Sequence, residues 1–179
     1  GARGPRAARV FSFMTPPVEL SAPVLDPFGD RSDAEWERAP AGKWTPAQIV
    51  EHLSLGLNLS GETFLARRNH APMSRRRRTP AERIATLLIL GFRWFPPGRK
   101  APSRTTPEPI TRRVAEEHFL AGLAAWALIE RDLLPSRGHD LFVKHPRLGD
   151  LTIDEWIRFH RIHARHHARQ IRQRIGMGV

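Results

Sequence analysis

Cysteine and tyrosine are both missing from this chain of 179 residues. Without cysteine there is no disulfide and no thiolate ligand, so a bound metal must be held by histidine, aspartate or glutamate. That donor set favours zinc, nickel, iron or manganese over iron–sulfur clusters. A cysteine-free chain also fits a cytoplasmic protein. Without tyrosine, no phenol can serve as a general acid. Long apolar runs are missing too. The longest, Ile84–Phe92, is too short to span a bilayer. The opening GARGPRAARVFSFM is basic but lacks the apolar core of a signal peptide. No sustained strand alternation and no fixed-period repeat is present.

What is present reads as a globular chain of single-domain size. The net charge of +11 raises nucleic acid or an anionic membrane as partners. The abundance of arginine, alanine, glycine and proline fits the coding bias of a GC-rich genome equally well. Residues 1–40 are interrupted by proline and glycine and read as a Pro-rich arm, extended over 1–30, with a short helix near Asp30–Pro40 anchored by Trp36. From residue 41 the pattern becomes helical. Thr45-Pro-Ala-Gln48, Thr79-Pro-Ala-Glu82 and Thr152-Ile-Asp-Glu155 each pair an N-cap threonine with Glu or Gln three residues on. Each is a capping box just ahead of an apolar periodicity. Helices are expected over 45–69, 79–95, 110–134 and 152–175, the second stopped by Pro96-Pro97, the third by Pro135 and the last by Gly176. The proline-dense link between the second and third is a loop, and Asp140–Pro146 is at most briefly extended. Four helices so linked predict an all-α four-helix bundle over 41–176.

The last helix concentrates the chemistry. Phe159–Gln170 holds four of the nine histidines. At about 100° per residue, Trp156, Phe159, His160, His163, His167 and Ile171 share one stripe, while Arg158, Arg161, Arg165, Arg169 and Arg172 turn away from it. Imidazoles on a core face are costly unless partnered. His163 and His167, spaced i, i+4, bring two rings to one point, as in helical two-histidine metal sites. His166 lies at the stripe edge. His160 is readable as a ligand, a partner behind the ligands or an acid–base residue. On the first strong helix Ile49, His52, Gly56, Leu59 and Thr63 share a face, so His52 is available as a third ligand and Gly56 leaves space beside it. The same residues also read as ordinary core histidines, and spacing alone leaves both readings open.

The start GKWTPAQIVEHL, read together with the run LTIDEWIRFHRIHARHHARQI, resembles the DinB-like superfamily of metal-binding four-helix bundles over about residues 40–175. The resemblance implies an up-down-down-up helix order, which the long 96–109 link permits. It also implies a divalent metal such as zinc or nickel, held by His52, His163 and His167. Prolines interrupt the family's usual long first helix, which is expected here to be shortened or irregular. Members with known activity include thiol-transferases and a thiol-dependent isomerase. The implied partners are a low-molecular-weight thiol and a small-molecule electrophile, and a homodimer is compatible with the resemblance.

Three functions follow as expectations. In a metal-dependent enzyme, a divalent ion on three neutral imidazoles keeps its charge and an open position for water or a thiol, giving hydrolysis or thiol transfer. His160 would carry a proton, Gln170 would orient a ligand, and Glu62 is a further acid–base residue. In a nucleic-acid-binding module, Arg75–Arg78 and the arginine face of the last helix would meet phosphates. In a membrane-surface protein, Arg75–Arg78 would precede the Glu82–Phe95 stretch, which carries bulky apolar residues. Trp44, Trp94 and Trp126 read as packing anchors, His118 as near the core without an i, i+4 ligand partner, His139 and His145 as loop residues, and His70 as a helix-end cation.

Overall fold

The computed structural model describes residues 20–29, 31–96 and 100–176. The basic opening stretch, residues 1–19 of the expected arm, and Pro97 lie outside them. The described chain is mostly helical. Its main helices are α1 (Ser21–Leu25), α2 (Asp33–Trp36), α3 (Pro46–Ala66), α4 (Pro80–Thr86), α5 (Arg112–Leu128), α6 (Leu134–Arg137) and α7 (Ile153–Arg174). Between α6 and α7 runs a small antiparallel hairpin, β1 (Val143–His145) and β2 (Gly149–Leu151), with Val143 opposite Leu151. Its turn places Gly149 at φ 75°, a backbone conformation that glycine adopts without steric cost.

All three expected capping boxes are present. Thr45, Thr79 and Thr152 each accept from the amide of Gln48, Glu82 and Glu155, which reach back to the threonine N–H. A fourth, Ser32 with Glu35, starts α2. The two long helices match their capping signals: α3 and α7 begin one residue after Thr45 and Thr152.

The other two helices depart from the expectation. α4 widens into a π-turn over Leu87–Gly91. The chain then leaves the helix through Arg93 at φ 55°, before Pro96 is reached. Along this segment Ile89 and Leu90 are buried while Ile84, Leu87, Phe92 and Trp94 are exposed. Trp94 is therefore not a packing anchor. α5 also passes through a π-turn, Ile129–Leu133, and continues into α6. Pro135 does not stop it. It falls in the first turn of α6, directly after the π-turn.

Residues 20–29 are not extended. Leu20, Val24 and Phe28 are buried, and Phe28 stacks on the fully buried Trp36. Each such buried aromatic stabilises the fold by roughly 3 kcal/mol relative to exposure. α1 packs on α7, on the side that buries Ile157 and His160. The most extensive helix contact is α3 with α5. It is close because Gly122 has no side chain: a Cβ there would lie 3.0 Å from Leu57 Cβ. Trp126 of α5 seals the same contact, donating from Nε1 to the Leu57 carbonyl at 2.9 Å. No helix among the described residues is long and apolar enough to cross a membrane.

Candidate metal centre

α3 and α7 meet so that His52 faces His163 and His167. His52 Nε2 lies 3.2 Å from His163 Nε2, which lies 3.0 Å from His167 Nε2. These separations are close to the about 3.3 Å that two imidazole nitrogens keep on one four-coordinate cation. Among the described residues these three form the group of His, Asp or Glu side chains able to hold a metal ion, their ligand atoms within 4.8 Å of one another.

Hydrogen bonds behind two of the rings decide which nitrogen carries the proton. His52 Nδ1 sits 2.6 Å from the Thr105 carbonyl. A carbonyl only accepts, so Nδ1 holds the proton and Nε2 presents a lone pair. His167 Nδ1 likewise donates to Gln170 Oε1 at 2.8 Å, which leaves its Nε2 bare. Two lone pairs therefore point at His163 Nε2. A proton there could satisfy only one of them well, whereas a cation satisfies all three. This donor set fits a divalent ion that prefers nitrogen ligands, such as zinc or nickel.

The electrostatics agree. Burial lowers the pKa of His52. It takes His167 to about 3, with the neighbouring imidazoles of His52 and His166 disfavouring a second charge and the Gln170 bond opposing the shift. His163 is held well below its ordinary value by burial and then by His167 and His52. All three are neutral near pH 7, the state in which imidazole binds a metal.

The three rings open onto a cavity of about 1420 Å³ between α3, α4, α7, the hairpin and the 100–106 loop. Its inner wall is apolar and aromatic, with Ile49, Leu59, Phe95, Trp156 and Phe159. Gly56 lines it with open space above its Cα. Trp44 flanks His52 with ring centroids 5.0 Å apart.

The remaining residues singled out in the sequence fall elsewhere. His160 is not among the cavity-lining residues. It is buried against Trp126 and Trp156, with Nε2 3.0 Å from Ser60 Oγ, and Ser60 does reach the cavity. His166 is half-buried at the cavity edge and shares Gln170 with His167. Glu62 is exposed and outside the cavity lining. His118 is exposed and paired with Glu51. His139 and His70 are exposed. Trp126 is a packing anchor and Trp44 a half-buried cavity wall.

The arginine run is tied into the fold. Arg75 and Arg78 pair with Glu155, Arg76 pairs with Glu82, and Arg78 also donates to the Leu148 and Asp150 carbonyls. On α7, Arg161 is half-buried 4.0 Å from Glu130 rather than on the solvent face. Two contributors to the cavity escaped the sequence reading. Thr105 acts through a backbone carbonyl, which carries no residue-type signal. His145, read as a loop residue, is a buried strand residue lining the cavity. No protein-family model, curated protein or solved structure matches the chain.

Proposed function

We propose that this chain is a DinB-like metal-binding protein, a four-helix bundle in up-down-down-up order. We propose further that it is an enzyme using His52, His163 and His167 for thiol transfer to an electrophile or for hydrolysis. The observation that carries the reading is the convergence of Nε2 lone pairs, fixed from behind by Thr105 and Gln170. The WTPAQ…His52 start and the His163…His167…Gln170 run support the same family.

A divalent ion at these nitrogens supplies Lewis acidity, lowering the pKa of a water or thiol that reaches it. The chain's own residues do the rest. Thr105 and Gln170 hold the two ligand rings in the tautomer that binds. Phe95, Trp156 and Phe159 give the cavity apolar walls that suit the carbon skeleton of a small electrophile. Ser60 at the wall is held by His160 and by its own bond to the Gly56 carbonyl, so His160 acts as a positioning residue for Ser60. The substrates this arrangement suits are a low-molecular-weight thiol and a small-molecule electrophile. Binding of nucleic acid is not favoured, because Arg75, Arg76 and Arg78 are spent on internal partners.

The reading is tested by metal analysis of the purified full-length chain beside His163→Ala. About one equivalent of zinc or nickel in the first and a near-complete loss in the second is expected. Equal metal content in both rejects the centre.

A further inference from the structure

The hairpin delivers a second nitrogen to the cavity, and its surroundings specify a different ligand. His145 ends β1 with 8% of its surface exposed, its ring packed 4.5 Å from Phe159 and 5.2 Å from Trp156. Its Nδ1 accepts the backbone N–H groups of Arg147, at 3.0 Å, and Leu148, at 3.2 Å. A nitrogen that accepts two amides carries no proton, so the neutral ring bears its proton on Nε2. Burial, with the nearby charge of Arg147, holds this histidine down to about 4, so the neutral form persists at neutral pH. His145 lines the cavity, and its hydrogen bonds among the described residues are both at Nδ1, which leaves Nε2–H free for a ligand. A free N–H on the wall of a cavity is a ready donor to a ligand oxygen.

The charge around it sets the sign of that ligand. Among the described residues the cavity wall includes Lys43, Lys100, Arg104, Lys144, Arg147 and Arg174 against one carboxylate, Glu82. Glu82 is already engaged by Arg76 and by the Thr79 amide. Arg147 is anchored by donating one N–H to the Lys100 carbonyl at 2.8 Å, and a guanidinium has further donors to offer.

We propose that His145 and Arg147 form an oxyanion-binding subsite, which holds a carboxylate or phosphate of the small molecule occupying the cavity. Phe159 stands between the subsite and the metal centre, its ring 4.5 Å from that of His145 and 5.0 Å from that of His163. The ligand therefore carries its charged group about one aromatic ring away from its reacting atom. The subsite stands on the cavity geometry alone; only this spacing rests on the metal reading.

The test is an NMR titration of the full chain with inorganic phosphate and, separately, with acetate. Ionic strength is held constant with chloride, and samples are zinc-loaded or chelator-treated. A saturable shift of the His145 Nε2–H signal is expected with at least one anion, with or without zinc, and the tighter anion identifies the group. His145→Asn keeps an acceptor for the two amides but loses the outer donor. It weakens that binding by about tenfold or more, as does Arg147→Gln. Arg113→Gln, which alters an exposed arginine of α5 outside the cavity, leaves binding unchanged. If His145→Asn does not fold, the wild-type titration and Arg147→Gln decide. No saturable shift with either anion overturns the subsite. So does an affinity indifferent to both cavity substitutions, or binding that exists only with zinc. Metal content of the same samples reports separately on the three-histidine centre.

Discussion

Gln170 accepts from His167 Nδ1 through its carbonyl and donates from its amide to His166 Nε2, so one side chain orders two rings. Replacing it with leucine leaves His167 free to change tautomer. Metal affinity, measured by competition with a chromophoric chelator, is expected to fall about 10–100-fold; an unchanged affinity would remove Gln170 from the centre.

Acid should weaken the metal-free protein through its buried rings. His160, held to about 3 chiefly by burial, and His145, at about 4, stay neutral in the fold, whereas an unfolded histidine titrates near 6.5. Their contribution is complete above that value. Below it the unfolded chain takes up protons that the folded one refuses. Stability then drops by about 1.4 kcal/mol per pH unit for each ring until its folded pKa is reached. Urea midpoints measured from about pH 7 to about pH 5 should decline steadily, and a flat profile contradicts the neutral burial of these rings. At this scale the pair His163 and His167 was legible, because helical angle and residue type coincide. Thr105 was not, since any residue at that place offers the same carbonyl. His145 was hidden because its neighbours in space, Trp156 and Phe159, lie on another element.

Among the elements, α7 has the most depending on its first turn. Thr152 and Glu155 close its capping box, and Glu155 also receives Arg75 and Arg78. Thr152→Ala is expected to cost about 1 kcal/mol in chemical denaturation; no loss would mean that the arginine contacts alone hold the turn. At the α3–α5 contact, Gly122→Ala gains helix propensity but brings a methyl against Leu57 and Asn58, within 3.0 Å of each. We expect crowding to prevail by about 1 kcal/mol, read as a lower Tm. The capped starts of α3 and α7 were readable because N-cap, N3 residue and apolar period agree. Ser32 and Glu35 obey the same rule, but a four-residue helix has no period to follow them. The π-turns were unreadable, since one extra residue per turn only makes sense against the partner it packs on. The hairpin strands are three residues each, too short for alternation to register.

Over the whole molecule the charge of +11 divides into separate jobs. The Arg75–Arg78 run fastens the hairpin and α7 to the start of α4, while other cations border the cavity. The segment from Ile84 to Trp94, which falls within the helix expected over 79–95, exposes four large apolar side chains on the surface. Composition could not separate these roles, because it records how many charges there are and not what they face.

The carbonyl of Thr105 meets His52 across 53 positions of chain, and His163 arrives from 111 positions beyond His52. Cutting the backbone between Thr106 and Ile110 would leave α3, α5 and α7 whole, yet untether the loop that fixes the His52 proton. If the rings hold a metal as proposed, the segment would act as a latch secured by that ion. Limited proteolysis should nick it readily in chelator-treated protein and slowly in zinc-loaded protein, so resistance to cutting becomes a measure of occupancy that needs no knowledge of the substrate.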